Sequence, residues 1–140
     1  MFTSKKALLL IANGSEDSEV VITIDVNLLK TSKIGINSLS LCIFVQVVRR
    51  ASVKLTVASI EGNRNPLKCA NDTTIVPDIS ISEISTDDTY DVVIVPGGEK
   101  GSASMAKNLA VGTVLQQHYN KGKLVAGICA GMIMEDKSCK

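Results

Sequence analysis

The segment Leu124-Val125-Ala126-Gly127-Ile128-Cys129-Ala130-Gly131 is an apolar run of strand character that ends on a cysteine and two small residues. This is the pattern of a nucleophile elbow. A strand stops, the chain turns sharply into a helix, and only small neighbours leave room for the side chain at the apex. A thiol placed there lies near helix N-terminal amides, which favour the thiolate, its reactive form. The same residues also suit a buried cysteine that closes a core strand, since free cysteine is among the most buried residue types. Two other apolar runs end in residues able to assist. Val92-Val93-Ile94-Val95 leads into Pro96-Gly97-Gly98, and Leu8-Leu9-Leu10-Ile11 leads into Asn13-Gly14-Ser15 with Glu16, Asp17 and Glu19 close behind. Gly98 permits close backbone approach, so its amide can face an oxyanion, with the amide of Ala130 as second donor. Glu19 can hydrogen-bond the thiol or carry a proton if burial raises its pKa.

These groups need a scaffold that brings strand ends together. The continuous apolar run at residues 7–12 suits a strand buried on both faces of a parallel sheet, residues 90–95 suit a buried parallel strand, 124–128 is a further strand, and residues 53–58 alternate as another. Ser15 or Asp17 is placed to cap a helix whose apolar face holds Val20, Val21 and Ile24. Short pairing is expected near residues 67–69 and 73–76, and one helical turn between Ser80 and Ser85. A long helical region with Met105, Leu109, Val111, Val114 and Leu115 on its apolar face closes at Lys121-Gly122-Lys123. His118 falls in that helix as a surface residue. Strands alternating with helices give an α/β class with a parallel sheet. Residues 26–46 break the helical period. Joining Asp25 directly to Val47 restores one amphipathic helix, so 26–46 reads as an insertion.

Composition excludes several function classes. Fifteen basic against fourteen acidic residues give a formal net charge of +1, which offers no electrostatic case for nucleic acid or an anionic membrane surface. With no Trp, two Tyr and two Phe, base stacking has little to work with. Cys42, Cys69, Cys129 and Cys139 lack zinc-site spacing and histidine partners. The N-terminal apolar run is too short to span a bilayer and has no cleavage site, so a reduced, cytoplasmic protein is expected.

The three segments KALLLIANGSEDSE, YDVVIVPGGEKGS and LVAGICAG, in this order, resemble the Parkinsonism-associated protein deglycase family of the ThiJ/PfpI superfamily. The resemblance implies a flavodoxin-like three-layer sandwich: a single domain over residues 1–140 with its C-terminal part missing. It implies a Cys129 nucleophile that doubles as an oxidation sensor, Glu19 as its carboxyl partner, and Gly98 and Ala130 as oxyanion donors. The implied activity is cysteine-dependent detoxification of a small dicarbonyl such as methylglyoxal, or deglycation of its protein adducts, with no metal or organic cofactor. A homodimer is implied, and nuclear and mitochondrial pools beside the cytoplasmic one. The other readings are a non-enzymatic redox-sensing or chaperone-like protein, or a non-functional splice product. The chain leaves the family pattern at Met132, making residues 132–140 a divergent tail. Asn71 also replaces a family arginine that reaches the partner subunit's site. Translated introns would account for both the insertion and the tail. An interrupted helix and an uncovered sheet are expected to lower solubility, stability and turnover.

Overall fold

The computed structural model describes residues 5–24, 53–85 and 87–132. The expected insertion at 26–46 and the tail beyond Met132 lie outside these residues. The order of elements is β1 (Lys6–Ile11), α1 (Asp17–Ile24), β2 (Lys54–Ser59), β3 (Leu67–Lys68), β4 (Thr74–Ile75), β5 (Ile79–Ser80), β6 (Val92–Val95), α2 (Glu99–Lys107), α3 (Leu109–Asn120) and β7 (Leu124–Gly127). Single 3-10 turns occupy Ile81–Glu83 and Cys129–Met132. Five strands form one sheet in the order β5-β2-β1-β6-β7, and each pairing is parallel. A separate antiparallel ribbon joins β3 to β4.

The central strand, β1, is apolar on both faces because both are covered. Successive side chains point to opposite sides of a strand. Leu8, Leu10 and Ala12 therefore join Met105, Val111, Val114 and Leu115 in one core, while Leu9 and Ile11 join Val20, Val57, Leu67, Cys69 and Ile94 in the other. The sheet is thus the middle layer, with α1 on one side and α2 and α3 on the other. This is the flavodoxin-like α/β architecture expected of the sequence.

Two expectations about the helices that cover the first of these cores need correction. The long helical region is two helices, because Asn108 breaks it with an extended backbone (φ −87°, ψ 112°) and caps the second through its side chain, which accepts from the Ala110 and Val111 amides. Leu109 therefore opens a helix at the corner and is 89% exposed instead of lying on the apolar face. His118 is only 2% exposed, not a surface residue. It follows Val111, Val114 and Leu115 down the buried stripe of α3. Both ring nitrogens are used there: Nδ1–H donates to the Val114 carbonyl at 2.7 Å, and Nε2 accepts from the Tyr90 amide at 3.3 Å. His118 thus ties α3 to the segment that enters β6.

The helical turn expected between Ser80 and Ser85 is the 3-10 turn, held by a reciprocal cap. Ser80 Oγ accepts from the Ser82 amide and Glu83 Oε1 accepts from the Ser80 amide. The strand order also places the functional end of the molecule. From β1 the chain proceeds to β2 on one side, and β6 leads to β7 on the other. Open α/β sheets bind ligands where the order reverses in this way, at the carboxyl ends of the strands. Here that crevice lies beyond Ile11 and Val95.

Candidate active site

The carboxyl ends of β1, β6 and β7 bring Glu19, Gly97, Cys129 and Ala130 together. Gly97 is buried just past β6, and its N–H donates to Glu19 Oε2 at 2.5 Å. A Cβ added to Gly97 would lie 2.9 Å from Glu19 Oε2, 3.1 Å from the Ala130 amide nitrogen and 3.1 Å from Cys129 Cβ. Three groups from two elements, α1 and the 3-10 turn at Cys129–Met132, therefore surround one point that only glycine leaves free. Glu19 is 6% exposed. Burial pushes its carboxyl pKa upward, and the Glu16 charge adds to the rise, against the opposing pull of the Gly97 amide.

Cys129 sits at the apex of a tight turn with φ at +50°, in the left-handed region that side-chain-bearing residues seldom adopt. The turn is pinned on both sides, since the Ile128 amide donates to the Val95 carbonyl and the Gly131 amide to the Ile128 carbonyl. Gly131 packs so tightly that a Cβ there would fall 2.4 Å from the Val95 carbonyl oxygen. The glycine of the sequence motif is therefore required by backbone contact, and Cys129 is exposed. Gly98 follows Gly97 at φ +94° and precedes α2. Its back rests on the turn at residues 14–16, with no room for a side chain.

The β3–β4 ribbon is tied to the turn at Gly14 and Ser15 and to the start of α1, where Asp17 secures it. The Asp17 carboxylate accepts from the Asn71 amide at 2.6 Å, from Asn71 Nδ2 at 3.2 Å and from the Thr73 amide at 2.9 Å. Burial pushes its pKa upward, but the Thr73 hydroxyl and these amides outweigh that and hold it below the usual value of 3.8. Cys69 lies in the same ribbon, buried, with its thiol pushed up to about 11 by burial and by the charges of Asp17 and Glu16. Asp17→Asn places an amide donor against donors, and should cost about 2 kcal/mol at pH 7, since bonds to charged groups are each worth roughly 1.5–3 kcal/mol. A depressed folded pKa contributes stability above the unfolded value, and that stability is lost as pH falls through the folded one. The difference between wild type and variant in denaturant melts should therefore shrink below pH 3.8. An equal difference at pH 7 and pH 3 would exclude this role for the charge.

The fold has counterparts among known proteins. The pattern of the DJ-1/PfpI family matches residues 5–136. The chain belongs to the DJ-1/PfpI family. Protein dj-1beta of Drosophila melanogaster is 35% identical over 127 residues, which cover 91% of this chain and 56% of the fly protein. The glutathione-independent glyoxalase DJR-1.2 of Caenorhabditis elegans is 30% identical over 132 residues, covering 94% of this chain and 58% of the worm protein. The crystal structure of Drosophila DJ-1beta superposes with a TM-score of 0.76 at 34% identity, covering 97% of this chain and 61% of that one. The chain thus spans less than two thirds of the length of these relatives.

For this DJ-1/PfpI chain, the four residues singled out from sequence all lie at the strand ends. Glu19, Cys129 and Ala130 converge directly, while Gly98 adjoins them through Gly97. The residue that sequence reasoning missed is Gly97, whose amide is the partner of Glu19. Its signal was the first glycine of Pro96-Gly97-Gly98. Asn71 has its side-chain amide held by Asp17 and, at 3.5 Å, by Glu16. Among the described residues, no group of three His, Cys, Asp or Glu side chains is placed to hold a metal ion. A cavity of about 490 Å³ at the α2–α3 corner, lined by Met105, Leu109, Thr113 and Leu115 among others, has no cysteine, histidine or carboxylate in its wall.

Proposed function

We propose that this chain carries the site of a cysteine-dependent enzyme that converts small dicarbonyls such as methylglyoxal to hydroxy acids without glutathione. The observation that carries this reading is the convergence of Glu19 Oε2, the Ala130 amide and the exposed Cys129 around Gly97. The glyoxalase name of the worm relative lends support. In the first step the Cys129 thiolate adds to the aldehyde carbon, forming a C–S bond and an oxyanion that the Gly98 and Ala130 amides stabilise. Protonation gives a hemithioacetal. Glu19 then takes the proton from the former aldehyde carbon and returns it to the neighbouring carbonyl carbon through an enediol, leaving an S-lactoyl thioester. Water adds to the thioester, the C–S bond breaks, and lactate leaves. The sum is one methylglyoxal and one water to one lactic acid, an internal redox reaction that needs no outside electron carrier. A carboxyl whose pKa is raised by burial is suited to move protons in both directions near neutral pH.

The exposed position of Cys129, set against the buried Cys69, favours a second reading in which the thiol senses oxidants without turnover. One experiment separates the two. The chain is incubated with methylglyoxal and no thiol cofactor, and lactate is measured. Lactate formed catalytically, in many-fold excess over protein, is expected. Its absence overturns the enzymatic reading and leaves the sensor.

A further inference from the structure

Helix α2 sits directly on the turn that precedes α1. The Gly101 amide donates to the Gly14 carbonyl at 3.1 Å, and the Glu16 amide donates back to the Gly97 carbonyl at 3.0 Å. These reciprocal bonds lace the β6–α2 junction to the β1–α1 junction. They are possible because Gly101 has no side chain. A Cβ there would lie 2.7 Å from the Ser15 nitrogen, 2.8 Å from Ser15 Cα and 3.0 Å from the Gly14 carbonyl carbon. All three are backbone atoms and cannot rotate away, so an added methyl forces the junctions apart by roughly 0.7 Å before ordinary contact is restored. Helix propensity alone favours alanine at an interior position such as this one.

We propose that Gly101 is a positioning residue of the site: the side chain it lacks seats α2 on the turn at residues 14–16, and that seat holds Gly97 and Gly98 in place beside Glu19 and Cys129. The turnover arm of its test rests on the enzymatic reading above, whereas the titration arm does not. A wedge at Gly101 lengthens the bond from the Gly97 amide to Glu19. That bond favours the ionised carboxylate, so its weakening moves the Glu19 titration to higher pH. The same wedge displaces the Gly98 amide, the oxyanion donor of the proposed reaction, because Gly98 rests on the turn at residues 14–16. A misplacement of about 1 Å can cost on the order of a hundredfold in rate, so a smaller one should cost about tenfold.

The experiment compares Gly101→Ala with Gly112→Ala in the full chain. Gly112 lies in α3 with nothing within 4 Å of its would-be Cβ, so it makes the same chemical change without a wedge. The Glu19 carboxyl is followed by carbon-13 NMR titration, its resonance identified by its loss in Glu19→Gln, and kcat and KM are measured with methylglyoxal. Gly101→Ala should raise the Glu19 titration and lower kcat about tenfold, with KM changed by no more than about twofold. Gly112→Ala should change neither. A Gly101→Ala variant that melts earlier but titrates as wild type has lost only stability, and overturns the proposal. One that neither melts earlier nor titrates differently overturns it as well. If wild type forms no lactate, the enzymatic reading fails and the titration alone decides the positioning role. If Gly101→Ala does not fold, amide exchange in wild type decides. Protection at Gly101 and Glu16 matching that of β1 supports the seat, and exchange at free-chain rates overturns it.

Discussion

Cys129→Ala is expected to abolish lactate formation from methylglyoxal while leaving the fold in place. The thiol is exposed, so removing its sulfur opens no core cavity. The backbone at +50° strains alanine about as much as cysteine. Stability should therefore change by no more than about 0.5 kcal/mol, the usual range for surface substitutions. Turnover should fall by a factor on the order of 10⁴ or more, because no other described group is placed to make the covalent bond. The other described thiol, Cys69, is buried in the β3–β4 ribbon and pushed up to about 11. It holds too little thiolate at neutral pH to substitute. Mass spectrometry after brief treatment with iodoacetamide should place the label on Cys129 and leave Cys69 unmodified. A variant that kept more than about a tenth of the wild-type rate would rule out covalent catalysis at this position.

The parts of the site that were legible in the sequence are those written by side-chain type at a strand end. Continuous apolar runs located β1 and β6, because strands covered on both faces cannot carry polar residues, and a third such run located β7, which is only partly covered. A cysteine followed by two small residues located the elbow, because the contact between Gly131 and the Val95 carbonyl tolerates nothing larger. The parts that stayed hidden depend on backbone groups or on distant partners. The bond from the Gly97 amide to Glu19 leaves no trace in residue type beyond a glycine that also suits an ordinary turn. Asp17 reads as a first-turn acid. Its contacts to Asn71 and Thr73 span more than fifty residues of sequence, a separation that local patterns do not reach. His118 was misplaced because its polarity outweighed its position. It lies four residues beyond Val114, on the buried stripe, and its two nitrogens find a carbonyl and an amide there. Leu109 was misplaced in the opposite sense, because its apolar type hid the cap at Asn108 that ends one helix and starts another.

Glu19→Gln should lower methylglyoxal turnover by about 10²- to 10³-fold, the range expected when a positioned acid–base group is lost. The substitution is close to isosteric. The glutamine carbonyl can still accept from the Gly97 amide, so the loss would be one of proton transfer and not of shape. The pH dependence gives an independent test. Burial and the Glu16 charge raise the wild-type carboxyl above its ordinary value of 4.5. Wild-type turnover should therefore fall on the acid side along a limb that lies above that value, and the residual rate of the variant should show no such limb. Stability should respond in the opposite sense. A folded pKa raised above the unfolded one contributes stability that is complete below the unfolded value and is lost as pH rises through the folded value. At pH 7 the folded wild type must hold a charge that burial disfavours, and glutamine removes that requirement. The variant should therefore equal or exceed wild type at pH 7, and the gap should close as pH falls toward 4.5. Glu19→Asp separates charge from reach. It keeps the carboxylate but withdraws it by one methylene from the Gly97 amide, so turnover should fall with no gain in stability. Denaturant melts at pH 7 and pH 4.5 on the three proteins, beside their lactate rates, carry the test. Full turnover in Glu19→Gln with the wild-type acid limb intact would move the proton-transfer role to another group. A variant less stable than wild type at pH 7 would mean that the carboxylate is held for its bond to Gly97 and not at a cost to the fold.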